Sequence, residues 1–491
     1  KPKEYDGSFG TNGWYLPFKQ DYTVEGFSTV VYKGTGVNPS YIGGAGFRPG
    51  LTWIDPRTVS DNNVIFDSVR GYACQLKTNG TDAEDVNNRV ENASDGFSLT
   101  TTDSNLNSAS HNYVAWNWDM GDTATGFRPV AYTGNGGTNK IATGMSPDWV
   151  WIKDREISGA GNYNHVMYDS IRGATKQIRS DATNAENTQA NSLDSFDTGG
   201  FTLGSHVGQN TDDESHIAWC WDMGTLQDDN DEGTIDNVVL KANTAFGQSL
   251  VSYEGNETAG ATVGHGLNSA PELIIIKNRD RSSNWEVYYG DATDYLVLNS
   301  GNATADNVNR WNDTSPTSTL FTLGAGANVN GNNESCIAFC FHSVTGYSDI
   351  GTYTGSGSSG KSITTGFPVS FVMIKKINGT GSWAIHDNAR GGTKRIYADA
   401  TTAESSANEV RFDSTGFTIL NTDTNYNAAD DTYLYVAFNS GITRDENGTI
   451  DSLVKANTTY GQSVVTWAGS TATATIGHGL SSAPEMIIVK R

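Results

Sequence analysis

Three short elements repeat one piece of chemistry. Asp67-x-x-Arg70-Gly71, Asp169-x-x-Arg172-Gly173 and Asp387-x-x-Arg390-Gly391 each set an acid three residues before a base and end on glycine. Such a pair could bind sugar hydroxyls, or could close a hairpin corner as an ion pair. Recurrence favours the corner, where an exposed pair contributes about 0–1 kcal/mol. Aromatic rings could stack on sugars, and Trp14, Trp285, Trp311 and Trp383 are the freer candidates because they lie outside the repeated closing strands described below. Asp212-Asp213-Glu214, the run from Asp228 to Glu232, and Asp445-Glu446 could offer oxygens to Ca²⁺. None has the spacing of a calcium loop, so solvated linker charge is the plainer reading and no cofactor is expected.

Catalytic patterns are missing. Glycosidase carboxylates sit about 5–9.5 Å apart, and no spacing singles out one pair among 55 acidic residues. The eight histidines include no His-Glu-x-x-His; only His265 and His478 recur, both in a Gly-His-Gly-Leu turn. No nucleophile elbow, phosphate loop or dinucleotide fingerprint is present. The expectation is a protein that is not an enzyme, with glycan depolymerisation as the lesser alternative. Cys74, Cys220, Cys336 and Cys340 suggest neither a disulfide framework nor a zinc site.

The elements that would carry these residues repeat about every 100 residues. A Tyr/Trp-x-Gly signal opens each copy at Tyr32, Tyr132, Tyr253, Tyr353 and Trp467. A short apolar strand ending in a charge follows, as in Trp151-Ile152-Lys153 and Ile275-Ile276-Lys277, and then the Asp-x-x-Arg-Gly element. A Gly-Phe strand comes next, and a closing strand such as Ile217-Ala218-Trp219 ends the copy. The third copy has Tyr288-Tyr289-Gly290-Asp291 in place of the acid–base element. Residues 233–277 nearly match 448–490. The expected divisions are a junction segment 1–21, sandwich modules at 22–121, 122–230, 231–343 and 344–444, and the start of a fifth at 445–491. The natural polypeptide is expected to be longer.

Strands of four to eight residues, rich in Val, Ile, Thr, Trp and Tyr and separated by Gly/Asn/Asp/Ser clusters, indicate an all-β chain. The fold expected is tandem β-sandwich modules (jelly-roll or concanavalin-like) in a row, strung as beads on Asp/Gly-rich linkers and each stable alone. A propeller is the rival, but its usual repeat of about 40–50 residues is not seen. The alternating faces Val114/Trp116/Trp118, Ile217/Trp219/Trp221 and Ile337/Phe339/Phe341 read as sandwich core. Residues 181–186 and 399–404 could each form a single helical turn.

Composition bounds the partners. Among 491 residues, 55 acidic against 32 basic side chains give a net charge of −23. Such a surface repels phosphate backbones and anionic lipid, so neither nucleic acid nor membrane insertion is expected. Residues 1–10 hold no apolar stretch of the signal-peptide kind.

Several phrases match a known repeat. Tyr132-Thr133-Gly134-Asn135-Gly136, Pro147 to Lys153 and Tyr168 to Lys176 resemble the repeat of tail-fibre-like proteins of marine bacteriophages, notably cyanophages. So do Gly200 to Gly204 and Ile217 to Trp221, while Val263 to Leu267 and Trp311 to Ser318 are similar to that family's alternate module. Tyr5 to Phe18 looks like the junction such proteins place after a concanavalin-like domain. The resemblance implies a structural and adhesive virion appendage, assembled in the host cytoplasm and extracellular after release. It implies a homotrimer, with other tail proteins and host surface polysaccharide as partners. A depolymerase tailspike and a bacterial surface adhesin are the alternatives. The family repeat supplies no catalytic residues.

Overall fold

The computed structural model describes residues 26–490 apart from 81, 88, 121–125, 157–162 and 407. The chain is all-β and antiparallel throughout its named sheets, with three four-residue helices among the described residues. Residues 181–186 and 399–404 are not helical. Each runs out extended from a turn, because its backbone is used by a neighbouring module: Glu186 N donates to Arg279 O and Glu404 N to Arg155 O.

Each of the first four modules pairs a large sheet with a small one. In the second module the large sheet runs Phe127–Thr133, Ser215–Trp221, Trp149–Asp154, Val166–Asp169. Its small sheet is Asn139–Ala142, Gly200–Leu203, Leu193–Asp197. The fourth module repeats this with Ser348–Thr354, Thr432–Phe438, Phe371–Lys376 and Ala384–Asp387, continued by two short strands. The third adds Thr225–Asn230 and Val238–Asn243 at its edge, so the stretch expected as a linker from Asp228 is partly a paired strand. The closing strand is always central, as Ser215–Trp221 lies between Phe127–Thr133 and Trp149–Asp154.

The sandwiches are present, but modules two to four are not beads. A strand sends alternate side chains to opposite faces, and here both faces of the large sheets are buried. The face carrying Ala218 and Cys220 packs on that module's own small sheet, with Ile141, Phe201 and Leu203. The opposite face, carrying Ile217, Trp219 and Trp221, joins the corresponding faces of modules three and four in one shared core. The expected sandwich-core aromatics of modules two and three therefore lie between modules, while the closing strands turn small residues, Ala218/Cys220 and Ala338/Cys340, to the sandwich interior.

The shared core is aromatic and closed to solvent. Trp149 stacks on Trp221 at 4.0 Å between ring centroids and meets Phe339 of module three at 4.5 Å. Phe127 lies 5.3 Å from Phe371 of module four, and Phe341 lies 5.7 Å from Phe438. Side chains from three modules fill one volume, so none of the three sheets keeps a dry inner face without the other two.

Head-to-tail seams close the three modules into a ring. Trp285 Nε1 of module three donates to Arg179 O of module two at 2.7 Å, and Trp383 Nε1 of module four to Val297 O of module three at 2.9 Å. Lys277 Nζ reaches Thr183 O, Lys375 Nζ reaches Gly301 O and Lys153 Nζ reaches Thr401 O, at 3.1, 3.3 and 3.2 Å. The third of these returns from module two to module four. A heterologous contact repeated with a closing rotation makes a ring, here within one chain.

Candidate functional site

The Asp-x-x-Arg-Gly element closes a turn in each module that carries it. Arg N donates to Asp Oδ1 at 2.9 Å in Asp67/Arg70 and Asp169/Arg172, and at 3.0 Å in Asp387/Arg390. The guanidinium Nε folds back onto Asp Oδ2, at 2.6 Å for Arg70 and 2.7 Å for Arg390, with the same contact in Arg172. The glycine that follows has φ +96, +101 and +95° at Gly71, Gly173 and Gly391, a left-handed conformation that favours glycine. Gly290 in module three has φ +100°, so the turn survives there without the ion pair.

Each arginine also has a second acid, fourteen residues on, that sequence reasoning missed. Arg70 meets Glu84 at 2.7 Å, Arg172 meets Glu186 at 3.1 Å and Arg390 meets Glu404 at 3.2 Å. In the ring the same glutamate accepts an arginine from the next module: Arg279 on Glu186 and Arg155 on Glu404, both at 2.9 Å. Burial by itself would raise the Glu404 carboxyl; the hydrogen bond from Arg155 and the charge of Arg390 outweigh it and hold it below the ordinary range. Asp387 Oδ2 additionally accepts Trp219 Nε1 of module two at 2.9 Å, with Arg390 over that indole at 5.6 Å. The motif therefore works at the joints between modules. Its missing partner was visible as Ala83-Glu84, Ala185-Glu186 and Ala403-Glu404 at constant offset.

The aromatic candidates for sugar stacking are displaced. Trp285 and Trp383 are fully buried in the shared core, and Trp311 is 1% exposed against Tyr288 in module three. Their rings have no open face, since seam and sandwich packing cover them. Trp14 lies outside the described residues. Of the acidic clusters, Asp228 and Asp229 stand exposed on the edge strand Thr225–Asn230, and Asp445 accepts backbone N–H groups of Asn447 and Gly479. Among the described residues no group of three or more His, Cys, Asp or Glu side chains is placed to hold a metal ion. His265 and His478 each accept a turn N–H, from Leu267 and Leu480 at 3.1 Å. All four cysteines are free and buried. No helix among the described residues is long and apolar enough to cross a membrane.

The open site is a cleft of about 490 Å³ where module one meets the ring. Arg48, Glu91 and Asn92 come from module one, Asp148 and Asp222 from module two, and Lys241 from module three. Lys241 Nζ pairs with Asp148 at 2.5 Å, and Ser170 Oγ and Met223 N also donate to that carboxylate. Burial pushes the Asp222 carboxyl above the ordinary range, with the Asp148 charge adding to it, and burial raises Glu91 as well. The lining mixes these charged and polar groups with Tyr72, Val90, Met145 and Phe246. Asp148 is already committed to three donors, so it is poorly placed to act as a free base.

The sequence matches a family described as a domain of unknown function (DUF7483), over residues 23–127, 123–441 and 390–491. The chain belongs to this family. No curated protein matches it. The middle DUF7483 match coincides with the ring of modules two to four, so the ring is spanned by a single match to that family. The same family matches module one by itself, and the stretch from within module four through the fifth.

Proposed function

We propose that this DUF7483 chain is a structural and adhesive segment of a phage tail fibre, extending toward the host cell and binding its surface polysaccharide. The ring is the observation that supports the reading most. This chain lays three sandwiches around one core and then sets its fifth module against module one, so further repeats extend the molecule. Its partners on this reading are other virion tail proteins and host glycan, with avidity from association of whole chains, a homotrimer first. Four buried free thiols suit assembly in a reducing cytoplasm before release. The cleft between module one and the ring, with charged and aromatic side chains in its lining, is the first surface to test for glycan contact.

The test is binding of fluorescently labelled protein to a panel of marine bacterial strains, with released sugar measured in the same tubes. Binding to a subset of strains without sugar release is the expected outcome, reduced at least fivefold by Asn92→Ala with Arg48→Ala. Release of oligosaccharide would replace this reading with a depolymerase. Binding to no strain would remove the adhesive part of the reading and leave a spacer.

A further inference from the structure

Module one repeats the sheet of the ring modules but its outer face is only partly covered. Leu51, Trp53, Ile65, Leu76, Trp116 and Trp118 are all half-buried. The same register positions in module two are Trp149, Trp151, Met167, Ile178, Trp219 and Trp221, each at most 2% exposed. Thr29 is exposed where Leu250 of module three is fully buried. Module one thus carries the apolar face of a ring module without the ring.

One neighbour is already partly in place. The fifth module begins with Thr443–Asp445, Ser452–Asn457 and Gln462–Trp467. Gln462 Nε2 donates to Gly26 O and Asp119 O at 2.7 and 2.5 Å, as Gln248 Nε2 donates to Gly126 O and Asp222 O at 2.9 and 2.6 Å where module three meets module two. Tyr460 covers Gly26 as Phe246 covers Gly126. Lys490 Nζ reaches Gly80 O at 2.8 Å, as Lys277 reaches into module two. The fifth module stands to module one as the third stands to the second.

One feature of this second tier lacks its counterpart. Arg57, at the position of Arg155, is exposed and has no ion-pair partner among the described residues, whereas Arg155 holds Glu404 of module four.

We infer that the module-one face seats a second ring, completed by further sheets of this same repeat, among them a module of the fourth's type offering a glutamate to Arg57. A second copy of module one does not fit that seat. Presenting its Glu84 side to Arg57 would require the space its own fifth module occupies. The inference does not depend on the phage reading.

The experiment appends a copy of residues 279–442 to the C-terminus of the full chain and reads maleimide labelling of Thr29→Cys, the native thiols being buried. Labelling at least tenfold slower in the extended chain than in the 491-residue chain is expected, with Arg57→Glu restoring at least part of the rate. Unchanged labelling in an extended chain whose added strands have folded would overturn the inference. So would added strands that stay unfolded, since the same residues fold in the same seat of the first ring. Protection already present in the 491-residue chain, together with a dimer or trimer by sedimentation, would put a second copy on the face and overturn it too.

Discussion

At the scale of single residues, the ring is held by charged groups kept away from water. Arg172 and Arg390 have no exposed side-chain surface, and each faces two carboxylates. Removing one partner of a buried pair typically costs about 3–5 kcal/mol, because the other charge is left uncompensated. Arg390→Met is expected to lower the denaturant stability of the ring by that amount. Arg70→Met, at a side chain 13% exposed, is expected to cost about 1 kcal/mol. Lys277 and Lys375 give a pH signature. Burial pushes both ammonium groups down to about 8. Between pH 8 and about 10.4 the unfolded chain then holds more protons than the folded one, so each lysine makes stability rise with pH. The four buried thiols, raised by burial, pull the other way over much of that range. The readout is therefore a difference: any stability advantage of Lys277→Met over the unmodified chain should shrink between pH 8 and 10 in urea titrations. An advantage that stays constant would mean that the Lys277 ammonium titrates alike in both states.

At the scale of elements, the strands were legible and their second face was not. Alternation along Val114/Trp116/Trp118 and its copies located the closing strands, and the glycine after each Asp-x-x-Arg located a turn. The aromatic side of those strands read as sandwich core because a sandwich has one dry face. The signal for two dry faces was also present: Trp149-Val150-Trp151-Ile152, Leu273 to Ile276 and Phe371 to Ile374 are unbroken apolar runs, whereas Leu51-Thr52-Trp53-Ile54 of module one is not. A continuous apolar run marks a strand buried on both sides. The candidate site was less legible, since the cleft draws Arg48, Asp148 and Lys241 from three modules and no local pattern brings them together. A junction prediction belongs here. A Cβ on Gly126 would lie 2.4 Å from the Phe246 ring. Gly126→Ala should therefore displace the ring and cost about 1–3 kcal/mol by overpacking, seen as a lower midpoint in thermal unfolding.

At the scale of the molecule, three modules share one core. Trp219 is fully buried and contacts module four through Phe371 and Asp387. Trp219→Ala should cost about 3–5 kcal/mol, and calorimetry should show modules two, three and four losing stability together in one transition. Separate shifts confined to module two would show that the shared core does not couple them. Module one, with its face half-open, is expected to melt in an earlier transition of its own.

The three seams also differ in composition. Two carry an arginine–glutamate pair, while the seam from module three to module four relies on Thr304 N to Ile377 O and on Lys375. In a homotrimer every substitution appears on all three sides at once. Here one chain carries three distinct flanks, so a single substitution alters one side of the ring and leaves two untouched. Each flank can drift on its own.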